Sequence, residues 1–174
     1  MGFISQYESK YQTGGLQHLF AKNIQLEVGT HIFDDYFKFS FVRNPWDKAI
    51  SQFHYMRHRA DLREFVGMDL DDSFHKYLAL IQKKTHVQWD EQYKFIYSDD
   101  DELMVDFLGR FENFEQDVNT LVEILGVKMS SIPHSNRTHH RPYYEYYDNE
   151  ARELVRMIYK RDITLFGYEF RDTS

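Results

Sequence analysis

An arginine, a lysine and a serine lie close together in one short segment and could bind an anion. Arg43 precedes Asn44 and Pro45, which are residue types typical of a helix cap and of the first helical position. A helix that begins at Pro45 would direct its first backbone amides and the positive end of its dipole toward an anion beside Arg43. Lys48 and Ser51 are three residues apart, so they share a helical face and could add a cation and a hydroxyl. This spacing predicts a phosphate-binding site.

A strand and a helix must position these residues. Aromatic and β-branched residues at 36–42 predict a largely buried strand that ends at Arg43, and the apolar spacing of 45–59 predicts the helix. Further helices are predicted at 16–28, 71–84, 113–125 and 149–160, a second strand at 104–111, and a terminal tail at 166–170. Strands separated by helices favour an α/β fold with a parallel sheet, whose ligands lie beyond the carboxyl ends of the strands.

Composition limits the classes of protein to which the chain could belong. Its 174 residues fit a single domain that includes positions 1–174. The net charge of −7 argues against nonspecific binding to nucleic acid. No apolar run approaches the roughly eighteen residues of a membrane span, and no secretory signal follows Met1, so cytoplasmic residence is the simplest expectation. Because the chain has no cysteine, a disulfide framework and a cysteine nucleophile are excluded.

Two histidines in the predicted helix at 45–59 were considered as metal ligands. His54 and His58 are four residues apart, a spacing that lets two imidazoles share a metal ion. No third ligand is evident, and the glutamate of the zinc-protease motif is missing. No metal site is therefore predicted.

The segment from Arg43 to Ser51 resembles the Arg-x-Pro-x-x-Arg/Lys-x-x-Ser motif of the carbohydrate-type (family 2) sulfotransferases. Segments at 107–117, 132–136, 143–148 and 162–170 resemble later blocks of that family in the same order. The similarity extends from about residue 18 to the C-terminus. It implies a three-layer α/β fold like that of P-loop nucleotide kinases, and sulfuryl transfer from 3′-phosphoadenosine 5′-phosphosulfate to a hydroxyl of a carbohydrate or other small acceptor. The resemblance implies no metal.

The resemblance also implies roles for five residues in binding the donor. The family's motif binds the donor's 3′-phosphate, which would be the role of Arg43 and Ser51. Lys48 stands where the family often has arginine; it retains the charge but lacks the planar fork that binds phosphate with two hydrogen bonds. Arg137 and Arg141 fall in a region that lies near the 3′-phosphate and the acceptor in the family, so both are candidate phosphate or sulfated-sugar contacts.

His18 is the candidate catalytic base. It lies 25 residues before Arg43. Some glycan-sulfating relatives carry a histidine in this region that is believed to be the catalytic base. Sulfuryl transfer requires that the acceptor hydroxyl lose its proton as it attacks sulfur, and a histidine with a pKa near neutrality suits that step. A single histidine on an amphipathic helix is also commonly a surface or core residue, and Glu27 is a weaker alternative base.

The chain departs from the family at its N-terminal side. Those enzymes open with a strand and a Pro-Lys-Thr/Ala-Gly-Thr-Ser-like loop that cradles the 5′-phosphosulfate, and no such loop is found. The glycine pair Gly14-Gly15 lacks a preceding apolar strand and a following Lys-Ser/Thr pair, so it is interpreted as a turn. The first strand and its loop are therefore expected to be missing, through loss or through a truncated sequence.

Three functional alternatives follow from this departure. The first is a sulfotransferase, cytoplasmic as given, or located in the Golgi or anchored to a membrane if an N-terminal segment is missing. The second is a non-catalytic nucleotide- or glycan-binding remnant of the same fold. The third, a phosphoryl-transfer enzyme of related fold, is disfavoured because it too should contain a Walker-type loop.

Overall fold

The computed structural model describes residues 18–129 and 141–171, which form a mixed α/β structure with a short parallel sheet. The elements before the second strand are α1 (Ala21–Val28), α2 (Thr30–Asp35), β1 (Phe39–Val42), α3 (Pro45–Met56), α4 (Ala60–Val66), α5 (Phe74–Ile81) and α6 (Tyr93–Ile96). They are followed by β2 (Phe107–Arg110), a 3-10 turn (Phe111–Asn113), α7 (Phe114–Leu125), a 3-10 turn (Tyr143–Tyr146), α8 (Asn149–Ile158) and α9 (Lys160–Phe166).

The sheet pairs β1 with β2 in parallel, with Phe39 opposite Phe107 and Val42 opposite Arg110. The carbonyl of Lys38 accepts a hydrogen bond from the amide of Phe107 at 3.1 Å. Since alternate residues of a strand direct their backbone groups to opposite sides, the backbone groups of residues 39, 41 and 43 point away from β2. Within the described ranges no other strand pairs with this edge of β1.

Helix α3 begins and packs as the sequence predicts. The side chain of Asn44 accepts a hydrogen bond from the amide of Trp46 at 3.0 Å, and Pro45 occupies the first turn. The apolar stripe is fully buried, and it packs in one core with residues of α5 and α8. The members of this stripe are Ala49, Ile50, Phe53 and Met56. Burial of this stripe fixes the orientation of α3 about its own axis and therefore the directions of its polar side chains.

Several predicted elements have other limits in the structure. The strand predicted at 36–42 forms only at Phe39–Val42, because its partner β2 is itself four residues long. The first helix begins at Ala21, and residues 16 and 17 lie outside the described part of the chain. The helices predicted at 71–84 and 113–125 are confirmed with slightly shorter spans.

The C-terminal region contains a helix that the sequence prediction missed. Helix α8 ends at Ile158, and α9 follows after a break at Tyr159 and closes with Gly167 in the left-handed conformation, at φ 64°. Tyr159, Asp162 and Phe166 lie on the buried side of this region. In the described ranges no helix is long and apolar enough to cross a membrane.

Candidate functional site

Arg43 lies directly after β1 and directly before α3, as the sequence predicts. Its Nε donates to the Asp47 carboxylate at 2.7 Å, and its guanidinium lies 4.4 Å from the centre of the Phe111 ring. The side chain retains 20% of its solvent exposure. Among the described residues, the hydrogen bond recorded for this guanidinium uses Nε, so Nη1 and Nη2 remain the groups that could contact a ligand. Arg43 is thus oriented by Asp47 and accessible to an anion.

The carboxylate of a protein side chain, Glu112, lies at the start of α3, where the sequence analysis expected a bound anion. Glu112 accepts the amide of Asn44 at 2.5 Å through one oxygen and the hydroxyl of Tyr168 at 3.0 Å through the other. The amide of Trp46 is used by the side chain of Asn44. The expectation of open amides at this helix terminus was therefore wrong for these two groups, because the chain supplies its own acceptors.

Ser51 belongs to a polar strip of α3, and Arg141 contacts a tyrosine that packs against this strip. The strip consists of Asp47, Ser51 and His54, which are spaced by four and three residues and so share a helical face. The His54 ring contacts the Tyr146 ring at 5.3 Å, and the Arg141 guanidinium lies 5.2 Å from the centre of that same Tyr146 ring. Arg141 therefore contacts Tyr146, whose ring packs against His54 of the strip.

Lys48 does not join this strip. Its ammonium group donates to the carbonyl of Asp90 and lies 4.8 Å from the centre of the Tyr159 ring, inside the protein. Burial lowers the pKa of Lys48 to about 8, although the carboxylates of Asp162, Asp90 and Glu91 oppose the shift. The prediction that Lys48 and Ser51 act on one side of the helix is not met, since distant segments hold the lysine inward.

The burial of Lys48 makes a testable prediction about pH. Its pKa is about 8 in the folded chain against 10.5 as the ordinary value, so between these values the unfolded chain binds more protons. The free energy of unfolding should therefore rise with pH, by roughly 1–2 kcal/mol between about pH 7.5 and 9.5. Urea unfolding across this range tests the expectation, and Lys48→Met should flatten the slope. An equal slope in the variant would contradict it.

Two other predicted site residues are not brought to the strip by the described structure. His18 is exposed and lies before α1 with a positive φ of 59°, so it is not the helical residue that the sequence analysis expected. Arg137 lies outside the described residues.

A cleft of about 430 Å³ opens beside the start of α3. Its walls include Asp47 from the strip, Arg110 and Glu112 from the end of β2, and Tyr143 and Arg171. A volume of this size suits part of a small ligand, and tyrosine faces with charged groups suit a ring or a sugar. Asp47 belongs both to the cleft and to the strip, so the cleft adjoins the first turn of the strip near the carboxyl end of the sheet.

Three polar residues support this surface through contacts that the sequence analysis did not predict. Gln92 binds the backbone of Arg43, Glu112 binds the backbone of Asn44, and Asp162 accepts hydrogen bonds from the amides of residues 92 and 93. Each contact joins segments that are 49 or more residues apart. Local spacing carries no signal for Gln92 or Glu112, whereas Asp162 interrupts an apolar helical stripe.

Comparison with known proteins decides the family. The model of the sulfotransferase family matches residues 4–169. The chain belongs to the sulfotransferase family. The match confirms the resemblance and reaches further toward the N-terminus than residue 18, where the sequence analysis began it. It supports sulfuryl transfer as the chemistry of the family to which this domain belongs.

An archaeal relative adds a second similarity. A protein of Archaeoglobus fulgidus, described as an uncharacterized protein, is 30% identical over 112 residues. The match covers 60% of this sulfotransferase-family chain and 79% of the relative. No solved structure matches the chain. The comparison with the family motif therefore uses this structure itself, in which Arg43 follows β1 and precedes α3.

Proposed function

We propose that this chain binds 3′-phosphoadenosine 5′-phosphosulfate and moves its sulfuryl group to a hydroxyl of a carbohydrate or other small acceptor. The observation that carries the proposal is the position of Arg43, which leaves β1 with an accessible guanidinium beside the start of α3. Arg43 and Ser51 would bind the 3′-phosphate, because charged hydrogen bonds from arginine are the strong ones for such a group. Arg141 and Arg137 would contact the same phosphate or the acceptor.

In this proposal Lys48 has a structural role and does not bind the ligand. Its ammonium group is bonded inward, so it would support the loop at residues 90–93 and would not touch the nucleotide. Its charge, opposite the buried carboxylate of Asp162, would hold that loop against α3. His18 remains the proposed base, on the ground of the family resemblance, and Glu27 the weaker alternative.

We also propose that residues 1–174 form one domain of the three-layer nucleotide-kinase-like fold, whose first strand would lie along the open edge of β1. The backbone groups of Phe39 and Phe41 face that edge. Beside it runs an apolar cleft of about 780 Å³ between β1, α1 and α2, with Ile24 and Ile32 among its walls. A parallel sheet is normally covered on both faces and extended by further strands, which supports this placement.

A competing proposal is a domain that binds the nucleotide or a glycan but does not catalyse. It is favoured by Glu112, whose carboxylate occupies the helix terminus where a donor phosphate could otherwise be held. The two proposals share the 3′-phosphate site and differ in turnover. Transfer from labelled donor to a panel of glycans separates them: transfer that His18→Ala abolishes supports the enzyme, and binding without transfer supports the remnant.

The binding proposal predicts that adenosine 3′,5′-bisphosphate binds more tightly than adenosine 5′-monophosphate. The two nucleotides differ only in the 3′-phosphate, which Arg43 and Ser51 would contact. Isothermal titration of the wild-type chain with each nucleotide measures the difference, expected to be about tenfold or more for a charged hydrogen bond. Equal affinities would remove the proposal.

A further inference from the structure

The amide side chain of Gln92 holds the backbone of Arg43 on both sides of that residue. Its Oε1 accepts the Arg43 amide at 2.8 Å, and its Nε2 donates to the Arg43 carbonyl at 2.8 Å. A neighbouring strand offers the same pair of groups, one acceptor and one donor, to each residue that faces it. Gln92 thus takes the place of a strand at the last position of this edge of β1.

The orientation of the Gln92 amide is fixed by a buried carboxylate. Asp162 has no solvent exposure, and its Oδ2 accepts the backbone amide of Gln92 at 2.8 Å and lies 3.4 Å from Nε2. Its Oδ1 accepts the amide of Tyr93 at 2.8 Å. Because Nε2 faces two acceptors and Oε1 faces a donor, a flipped amide would lose these bonds.

The loop that carries Gln92 is also held from α3. Lys48 donates to the carbonyl of Asp90, two residues before Gln92, and its charge faces that of Asp162. The chain of contacts therefore runs from Lys48 and Asp162 through the loop to Gln92, and from Gln92 to the backbone of Arg43. The lysine of the motif and its arginine are linked through Gln92.

We infer that Gln92 is a positioning residue for the anion site, which fixes the backbone of Arg43 and so directs its guanidinium toward the ligand. The inference rests on the proposed binding of a 3′-phosphate by Arg43. Asp47 and Phe111 contact the guanidinium, whereas Gln92 bonds the backbone of Arg43. A side chain that binds phosphate well must keep its position before the ligand arrives, because disorder in the free site reduces affinity.

The test uses Gln92→Met, which keeps the length of the side chain but removes both polar groups. The preference of the full chain for adenosine 3′,5′-bisphosphate over adenosine 5′-monophosphate should fall by about threefold or more, without the complete loss expected when Arg43 itself is removed. Hydrogen exchange of the Arg43 amide should become at least tenfold faster, while exchange of the Ile50 amide in α3 stays unchanged. Gln82→Met is the matched control, because among the described residues the Gln82 side chain donates to the carbonyl of Leu78, four residues earlier, and not to the backbone of Arg43. It should change neither quantity.

The outcomes separate this inference from the proposed function. If the wild type prefers the bisphosphate and Gln92→Met keeps that preference while Arg43 exchange accelerates, Gln92 is merely structural and the inference is overturned. If the wild type shows no preference, the proposed function fails, and the inference fails with it. Should Gln92→Met melt too low for binding measurements, Gln92→Glu replaces it. It keeps an acceptor for the Arg43 amide but loses the donor, and an unchanged preference in that variant would also overturn the inference.

Discussion

Arg43→Ala is expected to abolish the preference for adenosine 3′,5′-bisphosphate over adenosine 5′-monophosphate. The Arg43 side chain is partly exposed after the carboxyl end of β1, and its Nε is bonded to Asp47, which leaves Nη1 and Nη2 as the groups for a ligand. Loss of charge-assisted hydrogen bonds to a phosphate costs roughly 1.5–3 kcal/mol, or about ten- to a hundredfold in affinity. Titration calorimetry with both nucleotides gives the ratio directly.

Arg57→Ala is the control for this measurement. Arg57 follows the C-terminal end of α3, far from the start of the helix, and its guanidinium lies 5.1 Å from the centre of the Phe53 ring. It should lower the affinity for both nucleotides slightly and equally, if at all. A retained preference in Arg43→Ala, with thermal melting close to that of the wild type, would show that another group recognises the 3′-phosphate.

The location of Arg43 could be predicted from the sequence because every signal for it is local. A run of aromatic and β-branched residues, a capping asparagine and a proline at the first helical position all lie within a few residues of it. The structure confirms the parallel pairing of two strands and the start of α3 at Pro45. The start of the helix depends on neighbours in sequence, whereas the parallel pairing was predicted from the alternation of strands and helices along the chain.

The direction of Lys48 could not be predicted in the same way. Its separation from Ser51 allows both side chains to reach one ligand. Helical spacing alone does not decide whether the Lys48 side chain turns toward that ligand or toward the core. The decision comes from the Asp90 carbonyl and the Tyr159 ring, which are 42 and 111 residues away along the chain. The same reason explains why the contacts of Gln92 and Glu112 were not predicted, since their partners are atoms of distant segments.

The buried contact of Asp162 had a sequence signal that the sequence analysis did not use. Tyr159, Asp162 and Phe166 follow helical spacing, and all three are buried. An acid on an apolar stripe is costly unless it is bonded, so it indicates a buried polar contact. Burial raises the pKa of this carboxyl, whereas Lys48 and the amides of Gln92 and Tyr93 oppose the rise.

Asp162→Ala is expected to destabilise the fold by about 3–5 kcal/mol, a range typical of removing one partner from a buried charged network. The substitution leaves the amides of Gln92 and Tyr93 without their acceptor and removes one of the carboxylates that oppose the lowering of the Lys48 pKa. Asp162→Asn should cost less, because its single carbonyl oxygen can still accept one of the two amides. Urea unfolding at neutral pH measures both changes.

The matched control is Asp61→Ala on the surface. Asp61 is bonded to Arg59 at 2.6 Å, but its side chain retains 62% of its exposure, and exposed pairs contribute at most about 1 kcal/mol. A loss for Asp162→Ala no larger than for Asp61→Ala would contradict the assigned network. It would also weaken the link from Lys48 through Gln92 to Arg43, because that link requires Asp162 to hold the loop at residues 90–93 in place.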